Sequence, residues 1–538
     1  MLHSSFFVKK EYLCKVLQLY GFMNSQSNKS RTSLGIRNGR VAFVYILASI
    51  VIGFISRKVF LEYLGTEILG LNSTAENLLG ILNLSELGIG AAVAYMLYKP
   101  LQQNDYQTID EIVTLQGWLY QRIAYVVGLG AILFMAFFPL IFAHIEIPLG
   151  YAYASFGVFL YSSLLTYFTN YKQILLSASQ QQYQVIYNYQ SILLVKSLVQ
   201  IVALIWLPYP YISWLVLQVI FATGASWQLH RAVRRLFPFL SLHKREGKHL
   251  IHRYPHLITK VKQVFFHHLA SFALSQSSPL LIFAFTNLTT VALYGNYQLL
   301  VLTLQKVNNS FFTGIQSGIG HLVAEGNSQR IFQVFKELFS LRFLLTGICC
   351  YCLLELLEPF IQLWIGANYL LPPSTLYLIC GILYINLSRQ AVETYLAAHG
   401  MYQDIAAPII EAALNIGLSC WFGYLWGIDG ILIGVLTSLI IVVLGWKPYF
   451  LFRYGLKQKF SDYHRMYAVH LLCLGIAYYT IQLLQKVIPF PTIDSYGSFC
   501  VVGLLHFSIF SLLLGTLLGL CTSGMKGILK RLFQPRHL

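Results

Sequence analysis

Residues 64–101 read LGTEILGLNSTAENLLGILNLSELGIGAAVAYMLYKPL. The stretch is largely apolar, yet Glu76, Asn83 and Glu86 stand inside it, and Gly88 and Gly90 follow. On a water-soluble helix these would be ordinary surface positions. The composition removes that reading. Of 538 residues, 57% are hydrophobic and 11% charged, where an ordinary soluble protein carries about 25% charged residues. Runs of roughly 20 apolar residues recur along the chain, the length that crosses about 30 Å of hydrocarbon. The chain therefore reads as an all-α polytopic membrane protein. A transmembrane barrel would alternate polarity in short segments, and this sequence does not.

Apolar run length and breaks give about 14 spans. They fall near 41–61, 74–98, 117–142, 149–170, 184–207, 211–230, 262–286, 291–318, 338–357, 374–397, 404–426, 430–451, 465–484 and 498–520. The net charge of +17 sits in the connections, which argues for membrane orientation and against nucleic acid. Arg231, Arg234, Arg235, Lys244, Arg245, Lys248, Arg253 and Lys260 crowd one loop. Lys447, Arg453, Lys457, Lys459 and Arg465 mark another, and Lys526, Lys530, Arg531 and Arg536 the tail. Opposite loops carry Glu67, Glu146, Asp429 and Asp494. The positive-inside rule then places both termini in the cytoplasm.

The expected organisation follows: an N-terminal cytoplasmic segment 1–40, a first six-helix bundle 41–230, a basic loop 231–261, a second bundle 262–452, helices 13 and 14 in 453–520, and a basic tail 521–538. No cleavable signal peptide is evident in the lysine- and arginine-bearing first 40 residues. Residues 1–22 are weakly amphipathic, and Met23 stands as an alternative start. An internal echo supports two halves: LGIG at 87–90 matches SGIG at 317–320, and each half leaves through an aromatic-basic exit at Trp227 or Trp446. Related halves of this kind are a transporter architecture.

Four expected spans carry polar stripes at helical spacing. Tyr45, Ser49, Gly53 and Arg57 mark the first, and Glu76, Asn83, Glu86 and Gly90 the second. Ser271, Ser275 and Ser278 mark the seventh. The eighth has Gln305, Asn309, Thr313, Gln316 and Gly320, with Lys306 and Ser310 beside them. Small residues alone serve helix packing. Ionisable groups cost at least about 2.5–3.5 kcal/mol each at mid-membrane and face a wet cavity or a partner. Those at depth are Glu86, Lys196, Lys306, Arg389, Glu393 and Glu411. Arg389 and Glu393, four apart, read as an ion pair on one helix. Glu411 opens a polar face with Asn415 and Ser419, and its spacing leaves an interhelical bond and a cavity role both open. Arg57 and Lys306 read as cavity cations suited to an anionic head group, with Lys58 beside the first, where snorkelling is the plainer reading.

Other chemistry is thinly represented. The nine cysteines include Cys349, Cys350 and Cys352 in an apolar run, where they read as small apolar filler rather than a metal cluster. The histidine-rich stretch HKREGKHLIHRYPHL at 243–257 reads as a cationic surface near anionic lipid. No P-loop, HExxH or GxSxG motif occurs, and no long loop opposite the basic side could house an active site.

The run at 64–101 resembles the bacterial polysaccharide and O-antigen flippases, in the superfamily that also holds MATE-type multidrug exporters and lipid II flippases. SRTSLGIRNGR at 30–40 is similar to that family's lead into its first span, and PIIEAALNIGLS at 408–419 with GIDGILIGVLTS at 427–438 to its spans 11 and 12. The resemblance implies two six-helix bundles in a V, with spans 1, 2, 7 and 8 lining a central cavity. It implies movement of an undecaprenyl-diphosphate-linked oligosaccharide across the bacterial inner membrane by alternating access, for O-antigen, capsule or exopolysaccharide. No catalysis and no cofactor are implied, and coupling to H+ or Na+ is open. Membrane lipids, a polysaccharide polymerase and glycosyltransferases are the implied partners. Arg57, Lys58, Lys306, Asn309 and Gln316 are the candidate substrate contacts, and Glu86 and Glu411 the candidates for ion coupling or helix pairing. The rival readings are a drug or small-cation antiporter on the same fold and a membrane glycosyltransferase or polymerase. The first would favour an acidic cavity; the second needs paired carboxylates in an outer loop.

Overall fold

The computed structural model describes residues 31–83, 89–143, 145, 147–240, 247–254, 277–310, 312, 319–320, 322–323, 325–401, 404 and 406–533. Among these no strand occurs. The principal helices are α1 (Arg31–Leu82), α2 (Ile89–Gln103), α3 (Tyr106–Ala136), α4 (Leu149–Phe168), α5 (Ser191–Trp206), α6 (Pro210–Leu236), α7 (Leu288–Ser310), α8 (Ser328–Trp364), α9 (Pro373–Ser388), α10 (Gln390–Ala398), α11 (Ala406–Leu439), α12 (Phe460–Val487), α13 (Tyr496–Cys521) and α14 (Ser523–Phe533). Eight helices among the described residues are long and apolar enough to cross a membrane. The molecule is a multi-pass membrane protein. The eight helices do not by themselves reproduce the expected 14 spans.

Two of the long helices are folded back or bent, for reasons written in glycine. α1 is interrupted at Gly65, which takes φ 78°, a conformation that costs other residues but not glycine. α11 turns at Trp426 and at Gly427, with φ 58°, and its two arms meet at very short range. A Cβ on Gly430 would lie 1.9 Å from the Phe422 carbonyl oxygen, and one on Gly434 would lie 2.4 Å from the Ser419 amide nitrogen. The Ser419 hydroxyl donates to the Ile431 carbonyl at 2.9 Å. This is small-residue packing of membrane helices, and it makes the expected spans 404–426 and 430–451 a helical hairpin. Gly430→Val should lower stability by about 1–3 kcal/mol, the cost of overpacking. Gly417→Ala, with no atom near the added methyl, should be neutral or slightly stabilising. Thermal unfolding of the two variants in detergent checks the contrast.

Of the expected span 74–98, the described parts are the end of α1, to Leu82, with Asn83, and the start of α2, from Ile89. The expected face of Glu76, Asn83, Glu86 and Gly90 runs across residues 84–88, which lie outside the described residues. Glu86 itself lies outside the described residues.

The chain packs as two compact units. The first comprises the described parts of Met1–Val59, Gly88–Leu129 and Leu160–Lys262. Its core is aromatic and polar. The Gln116 side-chain amide donates to the Tyr171 carbonyl at 3.0 Å, and the Tyr120 ring lies between Tyr167 and Tyr171, each 5.9 Å away. The Asn38 side chain donates to the Gln180 carbonyl at 2.8 Å and accepts from the Tyr183 amide at 3.0 Å. Lys196, expected at depth, donates to Gln218 at 2.6 Å between α5 and α6. Part of the basic loop docks here. Gly247 lies so near α3 that a Cβ would fall 2.3 Å from the Trp118 Cβ. Glu111 accepts from Arg253 and from the Tyr254 hydroxyl, each at 2.6 Å. Burial, then the Glu111 hydrogen bond and charge, push the Tyr254 phenol up to about 12. At the start of α3, the Asp105 carboxylate accepts from the Thr108 hydroxyl and amide, as N-cap residues do. Those bonds hold Asp105 below the usual carboxylate range. This contribution to stability is present at neutral pH and is lost as pH falls through the lowered pKa.

The second unit comprises the described parts of Phe60–Leu87, Gly130–Phe159 and Gln263–Leu538. Its main core gathers Phe335, Phe339, Phe343, Tyr351, Tyr395, Phe452, Tyr463, Phe510 and Leu514 around α8. α12 and α13 dock on α8 through specific polar contacts. Ser340 pairs with His470 at 2.8 Å, Tyr351 with His506 at 2.6 Å, and the Gln482 amide donates to Glu355 at 2.8 Å. Gly70 of α1 meets the start of α7, where a Cβ would lie 2.0 Å from the Leu288 carbonyl oxygen. Trp206, Tyr209, Trp421, Tyr424 and Trp426 are exposed at helix ends, the positions where aromatic rings favour the head-group level.

Candidate functional site

The described ionisable side chains at depth converge most closely in the second unit, where two carboxylates and two cations form a closed quartet. Arg389 follows α9, Glu393 lies on α10, Glu411 on the first arm of α11, and Lys447 just beyond α11. The Arg389 guanidinium contacts Glu393 at 2.6 Å and Glu411 at 3.3 Å. The Lys447 ammonium contacts the same two carboxylates, Glu393 at 3.1 Å and Glu411 at 3.4 Å. Each acid thus bridges both bases, and the four charges cancel. Glu411 is 1% exposed, so an unmatched charge there would carry a large desolvation cost.

Local sequence explains how Lys447 reaches the site. Pro448 has no amide hydrogen, so it cannot continue the hydrogen-bond ladder of the preceding turn. The chain widens into a π-helical segment, Ile440–Trp446, directly before Lys447. Such bulges re-aim side chains and cluster at functional positions. The Trp446 indole also donates to Asp404 at 2.6 Å.

The polar face that Glu411 opens continues inward. Asn415 and Ser419 are buried, and Ser277 donates to Asn415 at 3.3 Å. The Asn415 amide nitrogen has no hydrogen-bond partner among the described residues. Sequence reading left Glu411 between helix pairing and a cavity role. Its carboxylate joins α11 to Arg389 and Lys447. The Arg389–Glu393 pair stands where the i, i+4 spacing put it.

Two buried cations among the described residues escaped the sequence reading: Lys172, whose ammonium lies 2.9 Å from His230 Nδ1, and Arg342. Arg342 on α8 is 6% exposed, and its guanidinium lies 3.8 Å over the Phe312 ring. Its Nε and Nη1 have no hydrogen-bond partner among the described residues. Glu393 acts on it electrostatically. A lone arginine within the apolar run 338–357 was the available signal.

The candidate substrate contacts are distributed differently. Arg57 is half-buried and Lys58 exposed on α1, in the first unit. Lys306 and Asn309 are exposed on α7, in the second unit. Lys306 makes no ion pair with a described residue. Gln316, like Glu86, lies outside the described residues, as do Ser271, Ser275 and Thr313. Cys349, Cys350 and Cys352 are free thiols within α8. No cluster of three histidine, cysteine, aspartate or glutamate side chains suited to a metal occurs among the described residues.

No protein-family profile matches the sequence, and no curated protein matches it. Solved structures do match. The chain is similar to the lipid II flippase MurJ in an inward closed conformation, with TM-score 0.59, 13% identity, and coverage of 88% of this chain and 98% of that one. It is also similar to an inward-facing multidrug resistance MATE family transporter of the MOP superfamily, with TM-score 0.55, 11% identity, and coverage of 76% and 95%. At these identities the likeness is one of fold: the chain has the helical fold shared by MurJ and the MATE transporters.

Proposed function

We propose that this chain is a flippase that moves undecaprenyl-diphosphate-linked oligosaccharide across the bacterial cytoplasmic membrane for surface polysaccharide assembly. The observation that carries the reading is the fold likeness to a lipid II flippase over 88% of the chain, joined to the sequence resemblance at 64–101. The MATE likeness reaches 76%, so the flippase accounts for more of the molecule.

In this reading Arg57 and Lys58 on α1 and Lys306 on α7 are each candidate contacts for the diphosphate, because arginine and lysine recognise phosphate through charge-assisted hydrogen bonds. Asn309 and Gln316 offer hydrogen bonds to sugar. Glu86 serves ion coupling or helix pairing, and the neutral quartet keeps α9, α10 and α11 in one body while access alternates. Coupling to H+ or Na+ belongs to the same proposal. The enzyme alternative finds little footing. Asp429 is taken by the Ser374 and Thr375 hydroxyls, at 2.6 and 2.5 Å, and Asp494 accepts from Thr492 at 2.8 Å. Neither has a carboxylate partner among the described residues for paired acid–base work.

The test is export in a strain lacking its own flippase. Expression of this chain should restore surface polysaccharide and clear lipid-linked repeat units from the inner leaflet. Unrelieved accumulation at normal protein level rejects the reading. Glu86→Gln should lower transport and flatten its pH dependence; wild-type transport at every pH removes a charge or proton role for Glu86.

A further inference from the structure

We propose that the junction of α8, α12 and α14 is a binding site for an anionic phosphate-ester head group, independent of which substrate the protein moves. A cavity of about 320 Å³ opens there, lined by Lys336, Asp462, Arg465, His470, Ser523 and Gly524 among others. Lys336 and Arg465 make no ion pair with a described residue. Asp462 is the single carboxylate in the lining, so two cations face one anion. His470 is already committed. Its Nδ1–H donates to the Met466 carbonyl at 2.7 Å, and its Nε2 pairs with the Ser340 hydroxyl at 2.8 Å. The ring therefore walls the cavity, and its cations are Lys336, whose ammonium lies 4.8 Å from the Phe332 ring centroid, and Arg465.

The position of α14 favours a lipid as the source of the phosphate. A Cβ on Gly524 would lie 2.1 Å from the Lys336 carbonyl oxygen, and one on Gly527 2.6 Å from the Glu337 carboxylate. α14 therefore lies directly on α8, fastened by Arg531–Glu337 at 3.1 Å and by buried Met525. Lys526 and Lys530 remain exposed. A basic amphipathic helix that follows directly on a membrane span lies at head-group level. Beside the cavity, α13 exposes Leu512 and Leu520, a surface along which acyl chains can lie while the phosphate reaches Lys336 and Arg465. Lysine and arginine at such a place recognise phosphate through charge-assisted hydrogen bonds.

The test is thermal unfolding of the full chain in neutral detergent, titrated with phosphatidylglycerol, phosphatidylcholine or soluble glycerol 1-phosphate. Phosphatidylglycerol should raise the midpoint saturably, and phosphatidylcholine should not. In Lys336→Gln/Arg465→Gln the half-saturating concentration should rise by roughly tenfold or more, whereas Lys526→Gln/Lys530→Gln should keep most of the response. If the first pair does not fold, Arg465→Gln, an exposed side chain, carries the comparison. A saturable shift with glycerol 1-phosphate alone supports the same site and assigns it to a soluble phosphate ester. An equal response to phosphatidylcholine, or an unchanged phosphatidylglycerol response in the Arg465 variants, overturns the proposal.

Discussion

Glu411→Ala should destabilise the protein by about 3–5 kcal/mol, the cost of breaking a buried ion network by removing one partner. The carboxylate is almost fully buried, and both Arg389 and Lys447 lean on it. Without it Glu393 alone must balance two cations, and the quartet carries a net positive charge inside an apolar bundle. Unfolding in detergent should show a large loss. The decisive control removes charge in pairs. Glu411→Leu with Lys447→Met leaves Arg389 and Glu393 as a neutral pair, and apolar replacement of a buried pair is often neutral or better. The double variant should recover most of the loss, giving a coupling energy well above 1 kcal/mol in the cycle. Additive effects would mean that the quartet does not act as a unit.

Lys306→Glu should reduce polysaccharide export by about a hundredfold or more, since like-charge juxtaposition at a recognition site costs several kcal/mol. Lys306 is exposed on α7 and lacks an ion pair with a described residue, so reversing its charge should leave the fold intact. Lys306→Gln removes the attraction without adding repulsion and should give a smaller loss. Surface polysaccharide at matched protein level separates the two. Equal export by Lys306→Glu and the parent would remove this residue from the substrate path. Arg57→Gln in the other packing unit should behave like Lys306→Gln.

These predictions mark where sequence was enough and where it was not. Membrane class was legible because composition decides solvent. The two arms of the α11 hairpin were legible as apolar runs at 404–426 and 430–451 with a break between them, whereas the positive φ of Gly427 and the close approach at Gly430 and Gly434 came from the structure. The Arg389–Glu393 pair was legible because an i, i+4 spacing is a property of one helix. Glu411 and Lys447 completing that pair was not, since no local rule brings residues 22 and 54 positions from their partners into register. The π-helical turn before Pro448 reads only in hindsight as the device that aims Lys447. Arg342 was missed because its setting, a guanidinium over Phe312 with two nitrogens unpaired, arises from tertiary packing.

Flipping can be measured by reconstituting the purified chain into proteoliposomes with a lipid-linked oligosaccharide in one leaflet. Movement is followed by lectin or enzyme access to the sugar from the opposite side. Translocation of the lipid-linked sugar should depend on the protein, be strongly reduced in Lys306→Glu and be preserved in Lys526→Gln/Lys530→Gln. Proteoliposomes that leave the lipid-linked sugar in place while extruding a cationic drug would contradict the flippase reading and assign the fold to drug export.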